Sequence, residues 1–102
     1  MSIKLPNEYN VKSIHWESRE IECFCPLGSD WCTHKFIVDA KVGRYIFDLY
    51  LLDDWITENI KGKKLTMEQS AHKLYHFLLS EIEPDSLSVK ELNKQGGYVI
   101  EI

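Results

Sequence analysis

The sequence predicts a small α+β domain: an antiparallel four-stranded sheet with two helices on one face. Three observations predict it. Alternating apolar and polar residues mark two strands before residue 45 and two more after residue 85. Two segments with helical spacing lie between them. The chain of 102 residues is one domain in length, and the order strand, strand, helix, helix, strand, strand places the helices together against the sheet.

Residues 1–12, with Pro6 and Asn7, read as an irregular lead-in, and residues 13–102 as the folded domain. In "SIHWESREIECFC", Ile14 and Trp16 share parity, as do Ile21, Cys23 and Cys25, so a strand with one break near Ser18 is expected. Pro26, Gly28 and Ser29 mark a turn. The next strand puts Phe36, Val38, Ala40 and Val42 on one face. Leu52, Trp55, Ile56 and Ile60 then fall at helical spacing, with Asp53 and Asp54 expected in the first turn and Gly62 suited to the end. In the second helix Thr66 and Gln69 form a capping box, and Met67, Ala71, Leu74, Leu78 and Ile82 make the buried stripe. Pro84 stops it. "SLSVKEL" and "YVIEI" are strands joined by a turn at Gly96-Gly97. Four strands leave two edges, which edge-to-edge assembly into a ring would satisfy.

A net charge of −4 gives no overall attraction for nucleic acid, so any such partner needs a local basic patch. No apolar run is long enough for a membrane span. The opening residues lack a signal-peptide layout, and three cysteines cannot all pair, so a cytoplasmic protein with free thiols is expected.

The chemistry-bearing residues gather in "ECFCPLGSDWCTHK". Cys32 and His34 share a strand face, and with Cys23 or Cys25 from the neighbouring strand they supply three zinc-type ligands. No fourth ligand suggests itself, so no metal is expected. Cys23 and Asp30 flank the turn, where a carboxylate can take and return the protons of thiol chemistry. Glu68 sits in the first turn of the second helix, suited either to the helix dipole or to the N–H donors of a guanine- or pterin-like ring. His15, His72 and His76 stand alone, and "KGKK" (Lys61, Lys63, Lys64) is the best local phosphate-binding candidate.

Together these pieces resemble the nitrile reductases acting on 7-cyano-7-deazaguanine. "CFCPLGSDWCT" is similar to their motif of a cysteine, a six-residue spacer, and Asp before an aromatic, with Cys23, Asp30 and Trp31 in those places. "MEQSAHKLYHFLLSEIEPDSLSV" resembles their His-Glu helix and the strand after it, with Glu68 on the substrate-binding glutamate. "NKQGGYVIEI" resembles their Arg-Gly-Gly turn, making Gly96 and Gly97, with Trp31, substrate-site residues by resemblance. The likeness runs from about residue 20 to the end. It implies the tunnelling fold, assembled as homo-oligomers of pentameric rings.

The stretch associated with the nicotinamide cofactor is replaced by "YIFDLYLLDDWI", Met67 stands where the helix histidine would be, and Gln95 replaces the arginine. That pattern resembles the QueF-like branch. The resemblance implies amidine formation: ammonia is added to the nitrile of 7-cyano-7-deazaguanine in tRNA to give archaeosine, through a thioimide on Cys23. No cofactor is needed; NADPH would enter only in a reductase. A non-catalytic purine- or pterin-binding protein is the reading of another class, with Glu91 on the third strand as an alternative ring anchor. Cys25, next to Pro26, rivals Cys23 for the family cysteine but lies only five residues before Asp30.

Overall fold

The computed structural model describes residues 2–26, 28 and 30–102. Its main sheet is built around the long strand β4 (Asp30–Lys41). On one side β4 pairs antiparallel with both β2 (Ser13–Glu17) and β3 (Ile21–Cys25). On the other it pairs with β6 (Ser86–Asn93), which pairs with β7 (Tyr98–Glu101). With β2 and β3 counted as one broken strand, the sheet is four strands wide and antiparallel throughout, as expected.

β2 and β3 act as one strand with a bulge where the alternation breaks. Glu17 pairs with Ile37 and Ile21 with His34, so the chain advances four residues (17 to 21) against three (37 to 34). Ser18 holds the bulge: its N–H donates to the Phe36 carbonyl at 2.9 Å, and its Oγ accepts from the Phe36 N–H at 2.8 Å. The hydroxyl replaces the carbonyl that the bulge turns away.

The helices α1 (Leu49–Asn59) and α2 (Met67–Ile82) cover one face. Phe36, Val38, Ala40 and Val42 of the sheet are buried beneath them, with Val89 from β6. Met67, Ala71, Leu74, Leu78 and Ile82 are all buried, the stripe the spacing predicts. Trp55 of α1 stacks on Phe77 of α2 with ring centroids 4.1 Å apart, joining the two helices. The capping box at Thr66 and Gln69 is present, and α2 ends on Glu83 in the left-handed region just before Pro84.

Two expectations change. α1 begins earlier than predicted, because Asp48 is its cap: Asp48 Oδ1 accepts from the N–H groups of Tyr50 (2.9 Å) and Leu51 (3.0 Å). Asp53 and Asp54 therefore sit a turn later, and Asp53 pairs with Arg19 at 3.4 Å. The N-terminal segment is also not irregular throughout. Lys4–Pro6 forms β1, paired antiparallel with β5 (Tyr45–Phe47), and Ile3 is part of the core. Three residues ending in proline carry no alternation to read, and their partners lie 39 to 43 positions away (45 − 6 to 47 − 4). The expected turn at Pro26, Gly28 and Ser29 includes Ser29, which lies outside the described residues.

Candidate active site between the β3–β4 hairpin and the start of α2

Strand alternation sorts the hairpin into two faces. Cys25 lies directly opposite Asp30, Cys23 opposite Cys32, and Ile21 opposite His34, all on the face toward the helices. Phe24 and Trp31 pair on the other face, where their rings meet edge to face at 5.5 Å. Trp31, expected at the substrate site, therefore points away from Cys25 and Asp30.

A cavity of about 310 Å³ opens on the helix side, lined by Cys25, His34, Thr66, Met67, Glu68, Asn93 and Tyr98. Its volume is at the small end of the range for small-molecule sites. The first turn of α2 forms one wall, so the capping box that starts the helix also places Glu68. The Glu68 side chain is exposed at this rim. An added Cβ on Gly28 would lie 4.0 Å from Cys25 Sγ, so the hairpin end passes close to that sulfur. Asp30, across from Cys25, accepts from the N–H of Trp31 at 2.8 Å.

Cys23 is placed differently. It is 0% exposed, and its Sγ donates to the carbonyl of Ile60, 3.6 Å away, at the end of α1. Burial pushes its thiol up to about 12, reinforced by the nearby Glu91 and Cys32. It does not line the cavity; Cys25, half-buried, does. Spacing to Asp30 favoured Cys23, but register seats Cys25 against Asp30. All three cysteines are free.

Glu91 is not at the rim either. It is 0% exposed: Oε1 accepts from Ser70 Oγ at 2.6 Å, and Oε2 lies 2.6 Å from His34 Nδ1. Glu91 is outside the lining, which leaves Glu68 as the carboxylate that meets the cavity. Gly96 and Gly97 lie in the exposed β6–β7 turn outside the lining, Gly97 with φ +64°, while Asn93 and Tyr98 on either side of the turn do line it. Gln95 docks onto β4, its Oε1 accepting from the Thr33 N–H at 2.9 Å. Lys61, Lys63 and Lys64 are exposed on the loop that covers β3: Gly62 N–H donates to Glu22 at 2.8 Å and Phe24 N–H to Lys63 at 3.1 Å.

Sequence reading missed Asn93, Thr66 and Tyr98 as lining residues, and considered His34 only beside Cys32. The signal available was parity: His34 shares the face of Cys25 and Asp30, and Asn93 is its partner on β6.

A two-helix layer on an antiparallel sheet, with a thiol, a carboxylate and an imidazole around one cavity at the helix start, defines a class of small α+β domains with a site under the sheet's end. No family model matches the chain, and no curated protein matches it in sequence. Among solved structures the chain is similar to an archaeosine synthase QueF-Like in the apo form, with a TM-score of 0.77, 13% identity and 91% of each chain covered. At that identity the likeness is one of fold, and it is the tunnelling fold that the chain adopts.

Proposed function

We propose that this chain is a tRNA-modifying amidinotransferase: it adds ammonia to the nitrile of 7-cyano-7-deazaguanine in tRNA and forms the amidine of archaeosine. The observation that carries this reading is that Cys25, the register partner of Asp30, lines one cavity together with Glu68. The shared fold with an archaeosine synthase supports it.

In the proposed reaction the thiolate of Cys25 attacks the nitrile carbon. One π bond of the C≡N group breaks, and the nitrogen takes a proton from Asp30, giving a thioimide. Ammonia then adds to that carbon, a proton returns to Asp30, and the carbon–sulfur bond breaks to release Cys25 and the amidine. The sum is nitrile plus ammonia to amidine, with no change of oxidation state and no cofactor. Glu68 accepts N–H bonds from the ring and holds the nitrile at the sulfur, a positioning effect. Lys61, Lys63 and Lys64 supply phosphate contacts for the tRNA. β2 with β3 on one side and β7 on the other are the sheet's edges, and assembly through them into rings is part of the same proposal.

The test is incubation of tRNA bearing 7-cyano-7-deazaguanine with the protein and ammonium, followed by nucleoside mass analysis. The modified nucleoside should gain the mass of one ammonia with wild type and with Cys23→Ala, and remain unchanged with Cys25→Ala. Consumption of NADPH with release of an aminomethyl base would replace this reading with a reductase. Ring binding without any covalent adduct on Cys25 would replace it with a binding protein.

A further inference from the structure

His34 is the most buried polar group facing the cavity, 1% exposed, and the thiol chemistry makes no use of it. Its Nδ1 sits 2.6 Å from Glu91 Oε2, off the straight hydrogen-bond line. Glu91 is held in turn by Ser70 of α2, whose Oγ donates to Oε1 at 2.6 Å. The ring thus lies against residues of β6 and α2, but among the described residues neither of its nitrogens has a hydrogen-bond partner, nor does Glu91 Oε2. With Nδ1 on the Glu91 side, Nε2 is the nitrogen left for a ligand. A buried polar atom without a partner is costly and is rare without a reason.

His34 lies four residues along β4 from Asp30, the partner of Cys25, or about 13 Å at roughly 3.3 Å per residue. His34 and Cys25 therefore stand at opposite ends of the cavity, too far apart to form a thiol–imidazole pair. Between them lie Asn93, Tyr98 and the α2 wall with Glu68. The other titratable groups toward the imidazole are Glu91 from β6, Glu68 from α2, Tyr98 from β7, and Cys25 of β3.

We propose that His34 is the inner anchor of the ligand: its Nε2 bonds the polar edge of a planar heterocycle whose opposite end reaches Cys25. Glu91 and Ser70 are positioning residues that hold the imidazole. The inference deepens the proposed function by naming the contact that reads the ring, and selects a base with hydrogen-bonding atoms on the edge remote from the nitrile. An apolar ligand would leave Nε2 unpaired and is disfavoured.

The experiment separates ring recognition from thiol chemistry by using two probes on the full chain, 7-deazaguanine (no nitrile) and 7-cyano-7-deazaguanine. Nitrogen-detected NMR of wild type should show the Nε2 resonance of His34 moving when 7-deazaguanine saturates the site, with His15, His72 and His76 unmoved. His34→Gln, whose amide can donate to Glu91, should raise the Kd for 7-deazaguanine at least about tenfold and leave the rate of Cys25 alkylation by iodoacetamide unchanged. Ser70→Ala should raise it by a smaller factor, and Ser70→Thr should restore it. Should 7-deazaguanine engage His34 while the nitrile forms no adduct, the inner anchor stands and the amidine chemistry falls. An unmoved His34 resonance with the ring bound, a Kd in His34→Gln within twofold of wild type, or no binding of either base would overturn the anchor.

Discussion

The thiol of Cys23 donates to the carbonyl of Ile60, 3.6 Å away, where α1 ends over the sheet. That contact occupies the sulfur that sequence spacing assigned to catalysis and leaves the next cysteine on the same face, Cys25, to meet the cavity. Alkylation of the native protein at neutral pH should label Cys25 and spare Cys23 until denaturant is added. Peptide mass mapping checks this, and labelling of Cys23 in the native state would contradict its burial.

The same burial has a pH signature. With its folded thiol held up at about 12 against an ordinary value of 9.0, Cys23 stays protonated in the native state while the unfolded chain releases its proton. Stability should be insensitive to this group below pH 9 and decline as pH rises from 9 toward 12. Urea unfolding at pH 8 and pH 10.5 should show a smaller decline for Cys23→Val than for wild type.

Thr66 caps α2 and lines the cavity at once. Thr66→Ala should cost about 1 kcal/mol of folding free energy by loss of the cap. It should also loosen the α2 wall, so ligand affinity should fall even though Glu68 is intact. Thr66→Ser should restore both, as measured by denaturant unfolding and a binding titration.

Leu78 is fully buried in the α2 stripe against the sheet. Leu78→Ala should destabilise by about 2–5 kcal/mol, through lost transfer energy and the void left behind. Leu79→Ala, one position on and exposed, should fall within about 0.5 kcal/mol of wild type. Equal effects would mean that α2 is rotated from the orientation described.

On the open face of the sheet, His15 contacts Glu17 at 3.0 Å and Asp39 at 2.7 Å, and Lys35 contacts Glu17 at 2.8 Å. Hydrogen bonds to Glu17 and then Asp39 raise the His15 pKa above 6.5, and Lys35 followed by His15 holds Glu17 down at about 2. The His15 contribution is complete below 6.5 and is lost as pH rises through its folded value; that of Glu17 is complete above about 4.5 and is lost toward 2. Thermal melts at low salt should therefore separate wild type from His15→Gln at pH 5.5 and bring them together at pH 9. These groups are exposed, so the separation should be small and should shrink in high salt.

Local pattern made most of the architecture readable. Alternation located the β2–β3 bulge at Ser18, and 3.6-residue spacing named the buried stripe of α2 residue by residue. Both signals come from side chains within a few positions of one another. β1 escaped because its strand character exists only through pairing with Tyr45–Phe47, and the start of α1 escaped because Asp48 reads as a cap only when its carboxylate is seen on Tyr50 and Leu51.

The site divides in the same way. By itself the sequence determined which residues share a face, since period-two alternation puts Cys23, Cys25, Asp30, Cys32 and His34 on one side whatever lies above them. Only the tertiary structure decided which of them meets a ligand. The end of α1 closes over Cys23, whereas the start of α2 stands back from Cys25 and leaves the cavity. Glu91 was drawn inward for a like reason: a carboxylate under a helix needs partners, and Ser70 and His34 come to it from segments 21 and 57 residues away in the chain (91 − 70 and 91 − 34).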